Sequence, residues 1–270
     1  MMEASTIAVK PVVPAAPYLG GKRNLARRLC ALIDAIPHRT YVEPFVGMGG
    51  VFFRRARQPS VEVINDISGD VITLYRVLQE HYPYFIDMLR WRISSRAEFQ
   101  RLLAMPGERM TDLNRAARFL YLQRLAFGGK VTGRTFGVSR QTPGRFDVSK
   151  LEPALADLNE RLSGVTIEQL PYSELIRRYD AQETLFYLDP PYWNCEDDYG
   201  EGTFERADFE RLAEQLAGIR GQFVLSINDT PGVREVFGRF VLEEVETTYS
   251  ICTASAGSGK RAGELIIRGR

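Results

Sequence analysis

Residues 41–50 read Tyr41-Val42-Glu43-Pro44-Phe45-Val46-Gly47-Met48-Gly49-Gly50, and residues 61–66 read Val61-Glu62-Val63-Ile64-Asn65-Asp66; together they decide the fold. The first begins as a short apolar strand, stops at a proline that cannot continue a ladder, and turns through glycines. Val51-Phe52-Phe53-Arg54-Arg55 then resumes with helical character. The second is another β-rich run ending in an acid, and helical patterning follows over residues 69–80. Strand, glycine loop, helix, strand and terminal acid form the opening of a nucleotide-binding α/β fold. Glycines at 47 and 49 let a ligand approach the backbone, and an acid at 66 can accept hydrogen bonds from ribose hydroxyls. The dinucleotide fingerprint is incomplete, because Phe52 stands at its third glycine position. A structural turn accounts equally well for a Gly-x-Gly taken alone.

Working outward, residues 165–167, 184–188 and 222–227 are short β-rich runs, with a helix expected at about 205–217 between the last two. Residues 241–249 and 264–267 suit an antiparallel pair at the C-terminal edge. Residues 83–92, 97–104 and 113–127 read as helices, and 127–147 as a Gly-, Arg- and Thr-rich loop or hairpin. Residues 83–150 are therefore expected to be an insertion into an α/β domain formed by 17–82 and 151–270. Residues 1–16, with Pro11 and Pro14, are expected to be a flexible arm.

Charge sets the insertion apart. Residues 86–150 carry 13 Lys/Arg against 5 Asp/Glu, whereas residues 151–270 carry 12 against 22. A basic segment suits a polyanion such as nucleic acid, and an ordinary solvated helical surface is the alternative. Three scattered cysteines (Cys30, Cys195, Cys252) indicate reduced thiols in a cytoplasmic protein. Two histidines and no Cys/His cluster argue against a zinc site, and no metal is expected. No apolar run is long enough to span a bilayer. Tyr18-Leu19-Gly20-Gly21-Lys22 fails as a phosphate-binding P-loop, since Ala16 falls at the first glycine and Arg23 follows the lysine.

The chemistry is carried by Asp189-Pro190-Pro191-Tyr192, which follows the apolar run Phe186-Tyr187-Leu188. Two prolines supply no N–H and leave carbonyls free to accept hydrogen bonds. Asp189 adds a strong acceptor and Tyr192 a flat stacking surface. A planar amino group, as on a nucleobase, needs those three features. The same residues also suit a strand end with a Pro-Pro turn and a core tyrosine.

In their order along the chain, Tyr18–Lys22, Glu43–Gly50, Asn65-Asp66 and Asp189–Tyr192 resemble the motifs of Dam-type (alpha-order) DNA adenine-N6 methyltransferases. The resemblance spans about residues 17–268. It implies a Rossmann-like α/β fold with a mixed sheet that binds S-adenosylmethionine, interrupted by a helical target-recognition domain at 83–150. It also implies that Tyr18, Lys22, Glu43, Phe45, Gly47, Gly49, Asp66 and Asp189 form the cofactor site. Asp189, Pro190 and Tyr192 would be catalytic, holding the adenine of a base flipped out of double-stranded DNA. Trp193 is a second candidate stacking surface. The acidic stretch 196–202 is expected to close near the flipped base. Lys130, Arg134, Arg140 and Arg145 are candidate DNA contacts. A monomer or weak dimer is expected, in a setting such as restriction–modification.

Two departures from the family pattern stand out. Leu170-Pro171-Tyr172 follows the run at 165–169 where relatives often carry an Asp near the cofactor adenine, so Tyr172 is expected to substitute by stacking. Residues 133–136 and 142–147 only loosely match the recognition hairpin of GATC-specific members. Cytosine N4, RNA adenine or a protein glutamine are rival substrates for the same amino-group chemistry. A catalytically inactive nucleic-acid binder is the rival from another class, although a pure binder has no need of Lys22 or of the 189–192 tetrad.

Overall fold

The computed structural model describes residues 6–137, 141, 143–200, 202–248 and 261–269. The chain opens with strand β1 (Ile7–Ala8), helix α1 (Ala26–Ala35), strand β2 (Thr40–Glu43), strand β3 (Arg57–Gln58) and strand β4 (Val61–Asn65). Helices α2 (Gly69–Glu80), α3 (Tyr82–Leu89), α4 (Arg96–Leu103), α5 (Asp112–Leu125) and α6 (Val148–Leu162) follow. Then come β5 (Thr166–Glu168), α7 (Tyr172–Tyr179), β6 (Thr184–Leu188), α8 (Arg206–Ala217), β7 (Gln222–Asn228), α9 (Pro231–Phe237), β8 (Val241–Thr248) and β9 (Arg261–Arg268).

Seven strands form one mixed sheet in the order β5-β4-β2-β6-β7-β9-β8. The first five are parallel, whereas β9 runs antiparallel to both β7 and β8. From central β2 the chain moves outward through β4 to β5, then crosses back to β6 on the other side of β2. This reversal opens a crevice beyond the carboxyl ends of β2 and β6, where open α/β sheets bind ligands. All five residues of β6 are buried, as expected for a parallel strand covered on both faces.

The helices follow their apolar spacing. Val71, Leu74, Tyr75 and Leu78 form the buried stripe of α2. Phe209, Leu212, Ala213 and Leu216 do the same on α8, whose start is fixed by reciprocal hydrogen bonds between Glu205 and Asp208. Helix α5 is buried on most sides because it packs against α2, α3 and α4. Its Ala116, Ala117, Phe119 and Leu120 therefore share one core with α2.

Two expectations are corrected. Residues 6–16 are not a loose arm: β1 pairs with β3, the Val12 N–H donates to the Phe53 carbonyl at 2.7 Å, and Val12, Ala15 and Ala16 are buried. Their apolar side chains cover the glycine-loop region, which outweighs the proline signal. Residues 51–55 make only a single 3-10 turn at Phe52–Arg54, because Arg55 leaves in extended conformation toward β3. Residues 127–147 take the loop side of the loop-or-hairpin reading: among the described residues they form no strand ladder, and a lone bridge joins Ala126 to Phe136.

A buried charge cluster fastens the crossover. Glu62 on β4 lies 2.8 Å from Arg55 and 2.6 Å from Arg161 of α6. Each guanidinium also stacks on a ring, Arg55 on Tyr41 at 3.7 Å and Arg161 on Phe52 at 4.3 Å. No helix among the described residues is long and apolar enough to cross a membrane.

Candidate active site

A cavity of about 950 Å³ lies at the carboxyl ends of β2, β4 and β6, within the size range of small-molecule sites. Tyr18, Lys22, Glu43, Phe45, Gly47, Asp66 and Asp189 all line it, so residues spread over 172 positions of sequence converge. Gly49 does not line it. At φ +68° it is a turn residue, and an added Cβ would lie 2.3 Å from the Phe53 ring. Gly47, also at positive φ, is where the loop passes close to Tyr18: a Cβ there would lie 2.8 Å from that ring.

Asp66 fixes the loop, accepting the Gly47 and Ser68 N–H groups at 2.9 Å each. Burial raises its pKa to about 6, with those two N–H groups opposing. Burial raises Glu43 further, to about 8, although it accepts a hydrogen bond from the Tyr41 hydroxyl at 2.8 Å.

The far end of the cavity is aromatic. Phe45 lies 5.5 Å from Tyr172 and 5.9 Å from Phe204, ring centre to ring centre. Asn65 joins the surrounding loops, donating to the Pro44 and Leu170 carbonyls and accepting the Leu170 N–H. With proline at 171, the nearby carboxylate is Asp208 of α8, which accepts a hydrogen bond from the Tyr172 hydroxyl at 3.2 Å. This combination of flat rings, buried carboxylates and a glycine loop fits a charged, adenosine-bearing cofactor.

At the near end, Lys22 Nζ is buried among Asp189 Oδ1 at 2.9 Å, the Tyr192 hydroxyl at 2.6 Å and Glu264 Oε1 at 3.4 Å. Tyr192 also donates to Glu264. Asp189 sits at the end of β6, and burial raises its pKa to about 6 while Lys22 pulls it down. The Pro190 carbonyl accepts no hydrogen bond among the described residues. Tyr192 lies behind Lys22, outside the cavity lining, whereas Pro191 is part of it. Trp193 packs away from the cavity, 5.0 Å from Phe209 and beneath Arg206 at 3.8 Å. Asn194 follows at φ +69°, the sole non-glycine residue at positive φ among the described residues.

The acidic stretch includes a 3-10 turn at Glu196–Tyr199, of which Tyr199 lines the cavity. The Tyr199 hydroxyl donates to the Leu19 carbonyl at 3.0 Å, and the Thr132 hydroxyl donates to the Asp198 carbonyl at 3.2 Å. Of the basic candidates, Lys130 and Arg145 are exposed. Arg134 turns inward, donating to Gln123 Oε1 at 3.0 Å, and burial lowers its pKa. Arg140 lies outside the described residues. Arg124, which sequence reasoning passed over, lines the cavity and donates to the Ala15 and Arg145 carbonyls. Glu264, which immediately precedes the apolar run Leu265-Ile266-Ile267, was also passed over. No group of three or more His, Cys, Asp or Glu among the described residues is placed to hold a metal.

The family model for D12 class N6 adenine-specific DNA methyltransferases matches residues 18–251. The type II methyltransferase M.CviBI of Paramecium bursaria Chlorella virus NC1A is 24% identical over 266 residues, covering 96% of this chain and 99% of that protein. The type II methyltransferase M1.LlaDCHI of Lactococcus lactis subsp. cremoris is 26% identical over 273 residues, covering 94% of each. The DNA adenine methylase of Vibrio cholerae serotype O1 is 28% identical over 257 residues, covering 90% of this chain and 91% of that protein.

Proposed function

We infer the working of this site from the family to which the chain belongs, the D12 class of N6 adenine-specific DNA methyltransferases. The enzyme depends on S-adenosylmethionine and methylates adenine N6 in DNA site-specifically. The finer assignment rests above all on Asp189, which directly follows β6 and lines the cavity, with Pro190 next to it in the chain.

Phe45, Tyr172 and Phe204 would hold the adenosine end of the cofactor, Asp66 its ribose, and Tyr18, Glu43 and Gly47 the remainder. When bound, S-adenosylmethionine supplies an electrophilic methyl group. Asp189 and the Pro190 carbonyl accept the two N–H bonds of the adenine amino group, in a double-stranded substrate whose target base is flipped out. Fixing those hydrogens keeps the nitrogen lone pair from delocalising into the ring and aims it for in-line attack. Asp189 would also take the proton that N6 must lose. Positioning and electrostatics then carry the rate, as expected where no covalent enzyme intermediate is needed.

Residues 83–150 would recognise the target sequence, with exposed Lys130 and Arg145 as DNA contacts and Arg134 shaping the loop from within. The DNA substrate and the free thiols of Cys30 and Cys195 support a cytoplasmic setting. The test is incubation of the enzyme with labelled S-adenosylmethionine and DNA, followed by nucleoside analysis. Label is expected in N6-methyladenine; label in cytosine or in protein alone would sink the assignment.

A further inference from the structure

Asn228 and Glu264 face each other across the antiparallel β7–β9 pair, and both reach the segment that follows β6. Asn228 accepts the Trp193 N–H at 2.9 Å and donates to the Trp193 carbonyl at 3.1 Å. Glu264 Oε1 accepts from the Tyr192 hydroxyl and from Lys22 Nζ, the same ammonium that pairs with Asp189. The Glu264 side chain is fully buried, and its Oε2 has no hydrogen-bond partner among the described residues. A half-satisfied buried carboxylate is less stable than an apolar residue of similar size. Its full burial against Lys22, beside the segment that follows β6, therefore points to work on the site rather than on the sheet.

We propose that Glu264 is a positioning residue for methyl transfer: it anchors Tyr192 and shares Lys22 with Asp189, leaving Asp189 able to accept the adenine amino group. One ammonium lies between two carboxylates. Without the Glu264 charge, Lys22 pairs fully with Asp189, and a carboxylate held that tightly is a poorer acceptor. Asp189 is faced by Lys22 from the segment before α1, Glu43 from β2, Ser226 from β7, Glu264 from β9, and the Tyr187, Tyr192 and Tyr199 rings. Glu264→Gln removes one negative charge from this set and keeps the shape.

The inference rests on Asp189 being the residue that receives the adenine amino group, so Asp189→Ala is measured alongside. For Glu264→Gln, kcat is expected to fall about tenfold or more, with S-adenosylhomocysteine affinity within about twofold of wild type. The acid limb of the kcat/KM profile is expected to move to lower pH, because the Glu264 charge raises the Asp189 pKa. A merely structural role would not move that limb. Wild-type turnover, an unmoved or upward-moved limb, or equal loss of cofactor affinity would overturn the proposal. If Glu264→Gln does not fold, Tyr192→Phe removes the hydroxyl that Glu264 accepts from while keeping the ring. A loss of about threefold or more in kcat at unchanged cofactor affinity is then expected, and wild-type turnover would overturn the proposal. Full activity in Asp189→Ala would instead remove the underlying assignment.

Discussion

Asp189→Asn is expected to make the protein more stable at neutral pH while abolishing methyl transfer. The reasoning starts from burial, which raises the Asp189 carboxyl from an ordinary 3.8 to about 6. A carboxyl with a raised folded pKa favours the folded state below its unfolded value, and that advantage is lost as pH climbs through the folded value. Between pH 4 and pH 6 the wild type therefore loses stability that the amide variant keeps. The gap corresponds to an upper estimate of roughly 3 kcal/mol. About a fifth of the side chain is exposed, and screening reduces the working range to roughly 1–3 kcal/mol. Lys22 is not stranded by the change, because Glu264 and Tyr192 still hold it. Urea denaturation of both proteins from pH 4 to pH 8 measures the difference directly. It should be near zero at pH 4 and reach its plateau above pH 6.5. A variant that is less stable than wild type at pH 7.5, or a difference independent of pH, would refute the account of this site.

Three further outcomes follow from the geometry. Gly47→Ala places a Cβ 2.8 Å from the Tyr18 ring at a backbone conformation disfavoured for alanine, so S-adenosylhomocysteine affinity should fall by about tenfold, read by calorimetry. Glu62→Ala leaves Arg55 and Arg161 buried without their shared carboxylate and should destabilise by about 3–5 kcal/mol in denaturant titration. Arg145→Ala should lower the dependence of DNA affinity on log salt by about one, whereas Arg134→Ala should chiefly lower the melting temperature, because Arg134 is held by Gln123.

The parallel half of the sheet was legible in the chain because its strands are short β-rich runs bounded by prolines, glycines and acids. The glycine loop, Asp66 and Asp189 were legible for a related reason: chemistry at strand ends leaves polar residues at a break in an apolar pattern. Glu264 and Asn228 were not, since their significance depends on β9 inserting between β7 and β8, a register that no local pattern encodes. Helices α1, α6, α7 and α9 also escaped. Helix α7 has eight residues and α9 seven, too few turns for a firm period. The flexible arm was misread because Pro11 and Pro14 masked Val12, Ala15 and Ala16, whose burial depends on a distant surface. Arg134 shows the same limit, for charge density along the chain does not tell which guanidinium turns inward.

The packing of α5 on α2 carries a consequence for whether residues 83–150 can be exchanged as a unit. Ala116, Ala117, Phe119 and Leu120 roof the same core that holds Val71, Leu74, Tyr75 and Leu78. Residues 83–150 are thus not a cassette that can be lifted out and replaced by a relative's segment, because their removal would strip the cover from α2 behind the Asp66 loop. Substitutions at the exposed Lys130 and Arg145 leave that roof intact.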